Sequence, residues 1–173
     1  AKEIAFLAQE CDLCFYSHCA GAAVALCILQ SIEQKYGSLI RHYYAAANVP
    51  LKGLFGINGW RCIPDNVLLK ILQKAGAPDA LLLKGVDKNM PSRFRQDTDF
   101  SAKYFSQKPL KINCPTTLIL ARNDLFTRYF PRAGKHWHKY VQHIDSIHYI
   151  ETENHYFQSS ESDLLARWLL SPK

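Results

Sequence analysis

Cys19, Asp124 and His155 are of the three side-chain types that nucleophilic acyl chemistry combines. A thiol attacks a carbonyl, an imidazole takes and returns the proton, and a carboxylate fixes the imidazole's tautomer. Cys19 lies in Tyr16-Ser17-His18-Cys19-Ala20-Gly21-Ala22, which reads as a strand-to-helix elbow. In the G-x-S-x-G elbow a sharp turn lifts the nucleophile above a sheet, and small flanking residues let the backbone pass closely. Ser17 and Gly21 hold the small positions here, and Cys19 stands at the nucleophile's. The amide of Ala20, at the start of the next helix, would donate one hydrogen bond to an oxyanion. Asp124 ends the loop Arg122-Asn123-Asp124, and His155 sits in Glu153-Asn154-His155-Tyr156-Phe157.

Each residue also has a plainer reading. Cys19 alone would pass for a packed core thiol, and Asp124 for an ordinary turn residue. His155 is one of seven histidines. His18 adjoins the nucleophile but is expected to point elsewhere, while His136, His138, His143 and His148 fall on or beside surface elements. Asn48 offers another way to orient a histidine, as in Cys-His-Asn enzymes. Cys11-x-x-Cys14 with His18 and Cys19 imitates a zinc spacing, but no second ligand pair exists. Cys14 also falls inside a strand, so no metal, redox role or cofactor is expected.

The elements that must hold these residues alternate. A helix over Ala1 to Glu10 precedes the elbow strand Leu13 to Tyr16. The helix after Cys19 runs from Ala20 to Gln34 and closes near Tyr36-Gly37, where glycine can take a left-handed cap. Leu39 to Ala47 reads as a second strand, closed by Asn48-Val49-Pro50. From Leu51 to Phe105 helical pieces such as Asn66 to Ala75 alternate with breaks at Gly76, Pro78, Gly85 and Pro91, the texture of a helical lid. Thr117 to Ala121 is a third strand. A helix near Pro131 to Tyr140, a strand Ser146 to Ile150 and a closing helix Ser162 to Leu170 follow. Alternating strands and helices predict a mostly parallel sheet, whose reacting groups gather at the carboxyl ends of the strands. Cys19, Asp124 and His155 each follow a strand at that end, in the chain order nucleophile, acid, histidine of the α/β-hydrolases.

Composition narrows the class. A hydrophobic fraction of 48% against 21% charged residues fits a globular chain rather than a disordered one. No apolar run approaches the ~20 residues of a membrane helix, so no membrane association is expected. The net charge of +6 would attract an acidic partner. The basic residues are scattered and no nucleic-acid motif is recognisable, so nucleic acid is not the expected partner. The six cysteines (Cys11, Cys14, Cys19, Cys27, Cys62, Cys114) lie mostly in apolar surroundings, as buried thiols do. They lack the density of a secreted disulfide scaffold, which favours a reducing, cytoplasmic compartment.

Along nearly its whole length the chain resembles the thioesterase family of nonribosomal peptide and polyketide synthesis, especially the stand-alone type II branch. Phe15-Tyr16-Ser17-His18-Cys19-Ala20-Gly21-Ala22 resembles that family's F-x-G-H-S-x-G-A. Asn48-Val49-Pro50 stands where the family's strand ends in Ala-Pro. Ile63-Pro64-Asp65 with Leu68, Leu69 and Leu72, then Gly76-Ala77-Pro78, is similar to its lid entrance. Arg95 to Phe100 resembles its lid helix, Ile112 to Pro115 and Arg122-Asn123-Asp124 its x-C-P strand and G-x-x-D turn, and Asn154-His155-Tyr156-Phe157 its G-H-F-F. The resemblance implies an α/β-hydrolase fold with residues 51–105 as a lid insertion in a single domain over 1–173. It also implies an acyl or peptidyl thioester on the phosphopantetheine arm of a carrier protein, and carrier proteins are typically acidic.

The resemblance carries two departures. Cysteine replaces serine at position 19, which favours acyl transfer or ring closure beside hydrolysis because the acyl-enzyme remains a reactive thioester. The family's earlier strands, and the loop with its second oxyanion amide, have no counterpart before Ala1, so the missing part is expected on the same, longer chain. The expectation is a thioesterase-like domain with Cys19, His155 and Asp124 as triad, Ala20 at the oxyanion, and Trp60, Phe94, Phe100 and Tyr104 lining a lid pocket. A Cys-dependent acyltransferase or cyclase on the same fold, and a docking module without chemistry, remain alternatives.

Overall fold

The computed structural model describes residues 2–50, 59–78, 89–107, 110–127 and 133–170. Its elements in chain order are α1 (Lys2–Glu10), β1 (Leu13–His18), α2 (Gly21–Tyr36), β2 (Ile40–Ala46), a single 3-10 turn (Gly59–Cys62), α3 (Asp65–Lys74), α4 (Met90–Ser106), β3 (Thr116–Ala121), α5 (Ala133–Trp137), β4 (Ile144–Ile150) and α6 (Ser162–Leu170). The four strands form one sheet in the order β1-β2-β3-β4, with every pairing parallel. Each return therefore crosses over the sheet through a helix or a longer connection, as parallel pairing requires.

The middle strands are buried along their length, except at Arg41. β2 and β3 are covered on both faces, and their alternate residues feed two cores. On one face Tyr43, Ala45 and Leu118 meet Ala22, Leu26, Leu29 and Ile32 of α2, together with Phe105 of α4 and Trp137 of α5. On the other, Tyr44, Ala46, Ile119 and Ala121 meet Phe157 and Leu165. The outer strands alternate instead: Cys14 and Tyr16 on β1, and Ile147 and Tyr149 on β4, are exposed. A third apolar cluster joins Trp60, Leu68, Leu72 and Ala77 with Phe94 of α4 and Phe126 and Tyr156 of the later loops.

Gly37 takes φ 77° and donates its amide to Glu33 O at 3.0 Å, ending α2 where the sequence places its cap. The Glu33 carboxylate accepts from the amides of Asn113 and Cys114, tying the end of α2 to the approach of β3. Arg95 of α4 donates to the carbonyls of Trp60 and Ile63 and pairs with Asp65 at 2.6 Å, stapling α4 to the start of α3.

Several boundaries shift by one to three residues. β1 runs on to His18, and β4 begins at Ile144 rather than Ser146. The helix expected over Pro131 to Tyr140 spans Ala133–Trp137, with 131 and 132 outside the described residues. The short turn Gly59–Cys62 was not anticipated. Of the stretch expected to form a lid, residues 51–58 and 79–88, with the break at Gly85, lie outside the described residues.

One expectation is overturned: Cys11, Cys14 and Cys62 are exposed, and only Cys114 is buried. Alternation on an edge strand sends Cys14 outward although its neighbours are apolar. No described helix is long and apolar enough to cross a membrane.

Candidate active site

The elbow is built from backbone strain held by neighbours. Cys19 has φ 53° and Ala47, just past β2, has φ 49°. Register pairs His18 with Ala46, so these left-handed residues lie side by side at the carboxyl edge of the sheet. A non-glycine residue there costs on the order of 1–2 kcal/mol. Offsetting bonds surround Cys19: its amide donates to Ala46 O at 3.0 Å, and its carbonyl accepts from the Ala22 amide at 3.1 Å. The same carbonyl accepts from Asn48 Nδ2 at 2.8 Å. The indole of buried Trp137 anchors Asn48 in turn, donating to its carbonyl at 3.1 Å.

The small residues of the elbow differ in what they do. A β-carbon on Gly21 would meet nothing within 4 Å, so close approach does not explain that glycine. Ser17 is the crowded position, buried with its Oγ 2.7 Å from Tyr43 Oη. No side chain caps α2, whose N-cap is Ala20, so the helix start presents backbone amides beside the thiol.

Asp124 and His155 follow β3 and β4 at the same edge, Asp124 fully buried and His155 only 1% exposed. His155 Nδ1–H donates to Asp124 Oδ2 at 2.8 Å. Asp124 also accepts from Thr127 Oγ1 at 2.6 Å and from the Phe126 amide at 2.8 Å. Burial alone would raise its carboxyl, but these donors and the His155 charge hold it below the usual carboxylate range. Burial likewise opposes charge on His155. The Cys19 sulfur, as charge and as hydrogen-bond acceptor, and Asp124 outweigh burial and raise the imidazole to about 10. Nε2 of His155 is buried and has no hydrogen bond of good geometry, while Cys19 is close enough to act on it.

The structure thus brings Cys19, His155 and Asp124 together, with Ala20 beside them. It separates the four aromatic residues expected to line a pocket. Trp60 and Phe94 meet edge to face at 5.0 Å, and Phe126 joins Trp60 at 6.0 Å and His155 at 4.8 Å. Tyr104 instead sits in the main core near Phe105 and Tyr140. Phe100 turns outward at 45% exposure, because the face of α4 that meets α2 is carried by other positions. Both are corrected from pocket lining to, respectively, core and surface.

Asn48 serves the elbow rather than the histidine, whose Nδ1 is occupied by Asp124. His148, expected on or beside a surface element, is half-buried and stacks on Trp168 at 4.4 Å. Phe126 and Thr127 escaped the sequence reading, and Tyr156 entered it only as part of the motif around His155. The signal for the first two was proximity to Asp124, which offered an Asx-type turn to the residues just after it.

Among the six thiols, position decides which can react. Cys114 lies at the opposite, amino end of the strands, with its thiol directed at Ile40 O (3.6 Å) and Pro115 O (3.5 Å). Burial first, then the nearby Glu33 charge, push it up to about 12, so it is an inert core thiol. Among the described residues no group of three or more His, Cys, Asp or Glu is arranged to hold a metal.

A parallel sheet with a left-handed elbow, and an acid and a histidine after the next strands, is the α/β-hydrolase fold. The four described strands are part of the eight-stranded sheet of that fold. Solved thioesterases share it. The chain superposes on the RedJ thioesterase from the prodiginine biosynthetic pathway of Streptomyces coelicolor with a TM-score of 0.64 at 19% identity, covering 96% of this chain and 64% of that one. For human thioesterase 2 the TM-score is 0.66 at 14% identity, covering 95% and 74%. For SrfTE, the thioesterase domain that cyclises the lipopeptide antibiotic surfactin, it is 0.60 at 14% identity, covering 99% and 75%. The chain therefore spans under two thirds of RedJ and about three quarters of the other two. No family model matches the chain. No curated protein matches it.

Proposed function

We propose that the chain is a cysteine-dependent thioesterase-type domain that cleaves acyl or peptidyl thioesters through an acyl-cysteine intermediate. The observation that carries this reading is Cys19 in its left-handed elbow, facing a buried His155 whose other nitrogen is locked to Asp124 at 2.8 Å. That pairing activates a thiol; a merely structural elbow has no need of it.

In the forward step His155 Nε2 takes the Cys19 proton and the sulfur adds to the thioester carbonyl. The Ala20 amide, on an uncapped helix start, donates to the resulting oxyanion. The tetrahedral adduct collapses, and His155 returns the proton to the departing thiol. Water, or an amine or alcohol of the substrate, then attacks the acyl-cysteine as His155 again accepts the proton, and Cys19 leaves as the restored thiol. Asp124 stabilises the imidazolium formed in both halves. Sulfur at position 19 keeps the intermediate a thioester, which supports transfer or ring closure as a second outcome of the same site.

The substrate is proposed to arrive on the phosphopantetheine arm of an acidic carrier protein, drawn by the net charge of +6. Helices α3 and α4 with the Gly59–Cys62 turn would act as the lid, and Trp60, Phe94 and Phe126 as its apolar wall. Six cysteines with no disulfide among the described ones suit a reducing, cytoplasmic setting.

Intact mass after mixing with an acyl-pantetheine thioester tests the reading. A mass increase equal to the acyl group less one hydrogen, lost in Cys19→Ala, is the expected result. No adduct and no turnover, with a carrier-bound acyl donor also tried, would leave a docking module in its place.

A further inference from the structure

We propose that His18, the residue before the nucleophile, is a positioning residue for His155: its ring holds the backbone carbonyl of the base, so the strand that carries the thiol also sets where the base stands. The inference rests on the reading of Cys19 and His155 as a nucleophile–base pair.

His18 Nε2 lies 2.9 Å from His155 O. A carbonyl only accepts, so Nε2 carries the proton. Burial, and then the charge of His155, push His18 down to about 4. The neutral ring therefore keeps Nδ1 as an acceptor, and Tyr16 Oη donates to it across 3.3 Å. The ring is boxed in by His155 (5.4 Å), Phe157 (5.2 Å) and, stacked, Tyr156 (6.3 Å). One tautomer in one orientation is thus selected, although the side chain takes no part in the proton transfers described above.

The opposite side of His155 is held by the other layer. Its amide donates to Ala75 O, at the end of α3, at 2.8 Å. The base is fixed at three points by three elements: amide to α3, carbonyl to the end of β1, and Nδ1 to the loop after β3. Nε2 is left for Cys19. Of these ties the His18 bond is the one that joins the base directly to the elbow. Losing it lets the loop drift relative to the sulfur, and a displacement of about 1 Å in such a pair can cost ~100-fold in rate.

The test compares His18→Phe, His18→Gln, His18→Asn and His155→Ala in the whole chain. Two readouts are the rate at which iodoacetamide alkylates Cys19, followed by peptide mass, and kcat and KM on an acyl-pantetheine thioester. Glutamine can reach the carbonyl with its amide; asparagine is too short, and phenylalanine has no donor. His18→Phe and His18→Asn are expected to slow alkylation by about 10-fold or more and to lower kcat alike, with KM changed less than about twofold. His18→Gln should stay within about threefold of the parent on both readouts. If His18→Phe fails to fold, Asn against Gln decides by the same criteria.

Alkylation at the parental rate in His18→Asn, with His155→Ala slow, overturns the positioning role and leaves the nucleophile–base reading intact. So does a His18→Gln chain as slow as His18→Asn. Alkylation unaffected by His155→Ala overturns that underlying reading instead.

Discussion

A β-carbon placed on Gly76 would stand 2.1 Å from Asn154 Oδ1, and Gly76 itself has φ 87°. The end of α3 and the loop that bears His155 are thus fitted to each other at a position that only glycine can fill. Asn154 Oδ1 is already engaged there, accepting from the Tyr156 amide at 2.8 Å, and the Ala75–His155 backbone bond lies one residue before Gly76 and one residue after Asn154.

Gly76→Ala should therefore hurt more than its backbone alone dictates. Left-handed strain accounts for about 1 kcal/mol, and displacement of Asn154 should bring the total to about 2–3 kcal/mol. Gly37→Ala, at φ 77° and ψ −165° with nothing within 4 Å of its β-carbon, should lose about 1–3 kcal/mol from backbone strain alone. Urea unfolding measures both losses. A Gly76→Ala loss of only about 1 kcal/mol would mean that Asn154 simply moves aside.

The elbow's own support is separable from its chemistry. Asn48→Ala removes the donor to the Cys19 carbonyl, which should cost about 1–2 kcal/mol and slow formation of the acyl adduct. Asn48→Asp keeps the shape but places an acceptor against an acceptor, and should be worse. Unfolding midpoints with single-turnover acylation on an acyl-pantetheine check both effects. An Asn48→Asp chain as stable as the parent would contradict the bond.

Ser17 and Tyr43 form a buried pair whose truncation should be asymmetric. Ser17→Ala leaves the Tyr43 hydroxyl without its partner and should cost about 1–3 kcal/mol, whereas Ser17→Ala with Tyr43→Phe should recover most of that loss. A double-mutant cycle in urea gives the coupling. Additive losses would show that the 2.7 Å contact contributes nothing.

Stability against pH should carry the signature of three groups. His18 is lowered by burial to about 4, so the unfolded chain binds its proton first. Stability is lost as pH falls from about 6.5 toward that value, and His18→Gln should flatten this limb by at most about 3 kcal/mol. Asp124 is lowered, so its contribution is present above the ordinary carboxylate range and is lost only in still stronger acid. His155 is raised, so its contribution is full below about 6.5 and fades as pH climbs through about 10. Urea midpoints from pH 3 to 10.5 in steps of about half a unit test this. An acid limb unchanged in His18→Gln would assign that loss to other groups, His42 first among them, since burial lowers it too.

Much of this molecule is legible in one dimension. Leu13 to Tyr16 and Thr117 to Ala121 are short apolar runs followed within a few residues by turn chemistry. Strand length and period bury them in only one way, and the residue just past each strand end must emerge at the carboxyl edge. Cys19, Asp124 and His155 could be expected at one edge for that reason, since their placement follows from position relative to a strand. Gly37 was equally readable because its cap depends on its own φ.

Only the tertiary structure decided which neighbours serve those residues. Tyr104 and Phe94 lie on the same helix and are both aromatic, yet α2 buries one in the main core while the turn at Trp60 claims the other. By sequence Asn48 offers itself to a histidine; the 2.8 Å bond to the Cys19 carbonyl assigns it to the elbow. His18 and His155 are 137 residues apart in the chain and 2.9 Å apart in space. Periodicity reports what one element presents to its surroundings. Contacts between elements depend on crossover paths and register, which no local pattern encodes.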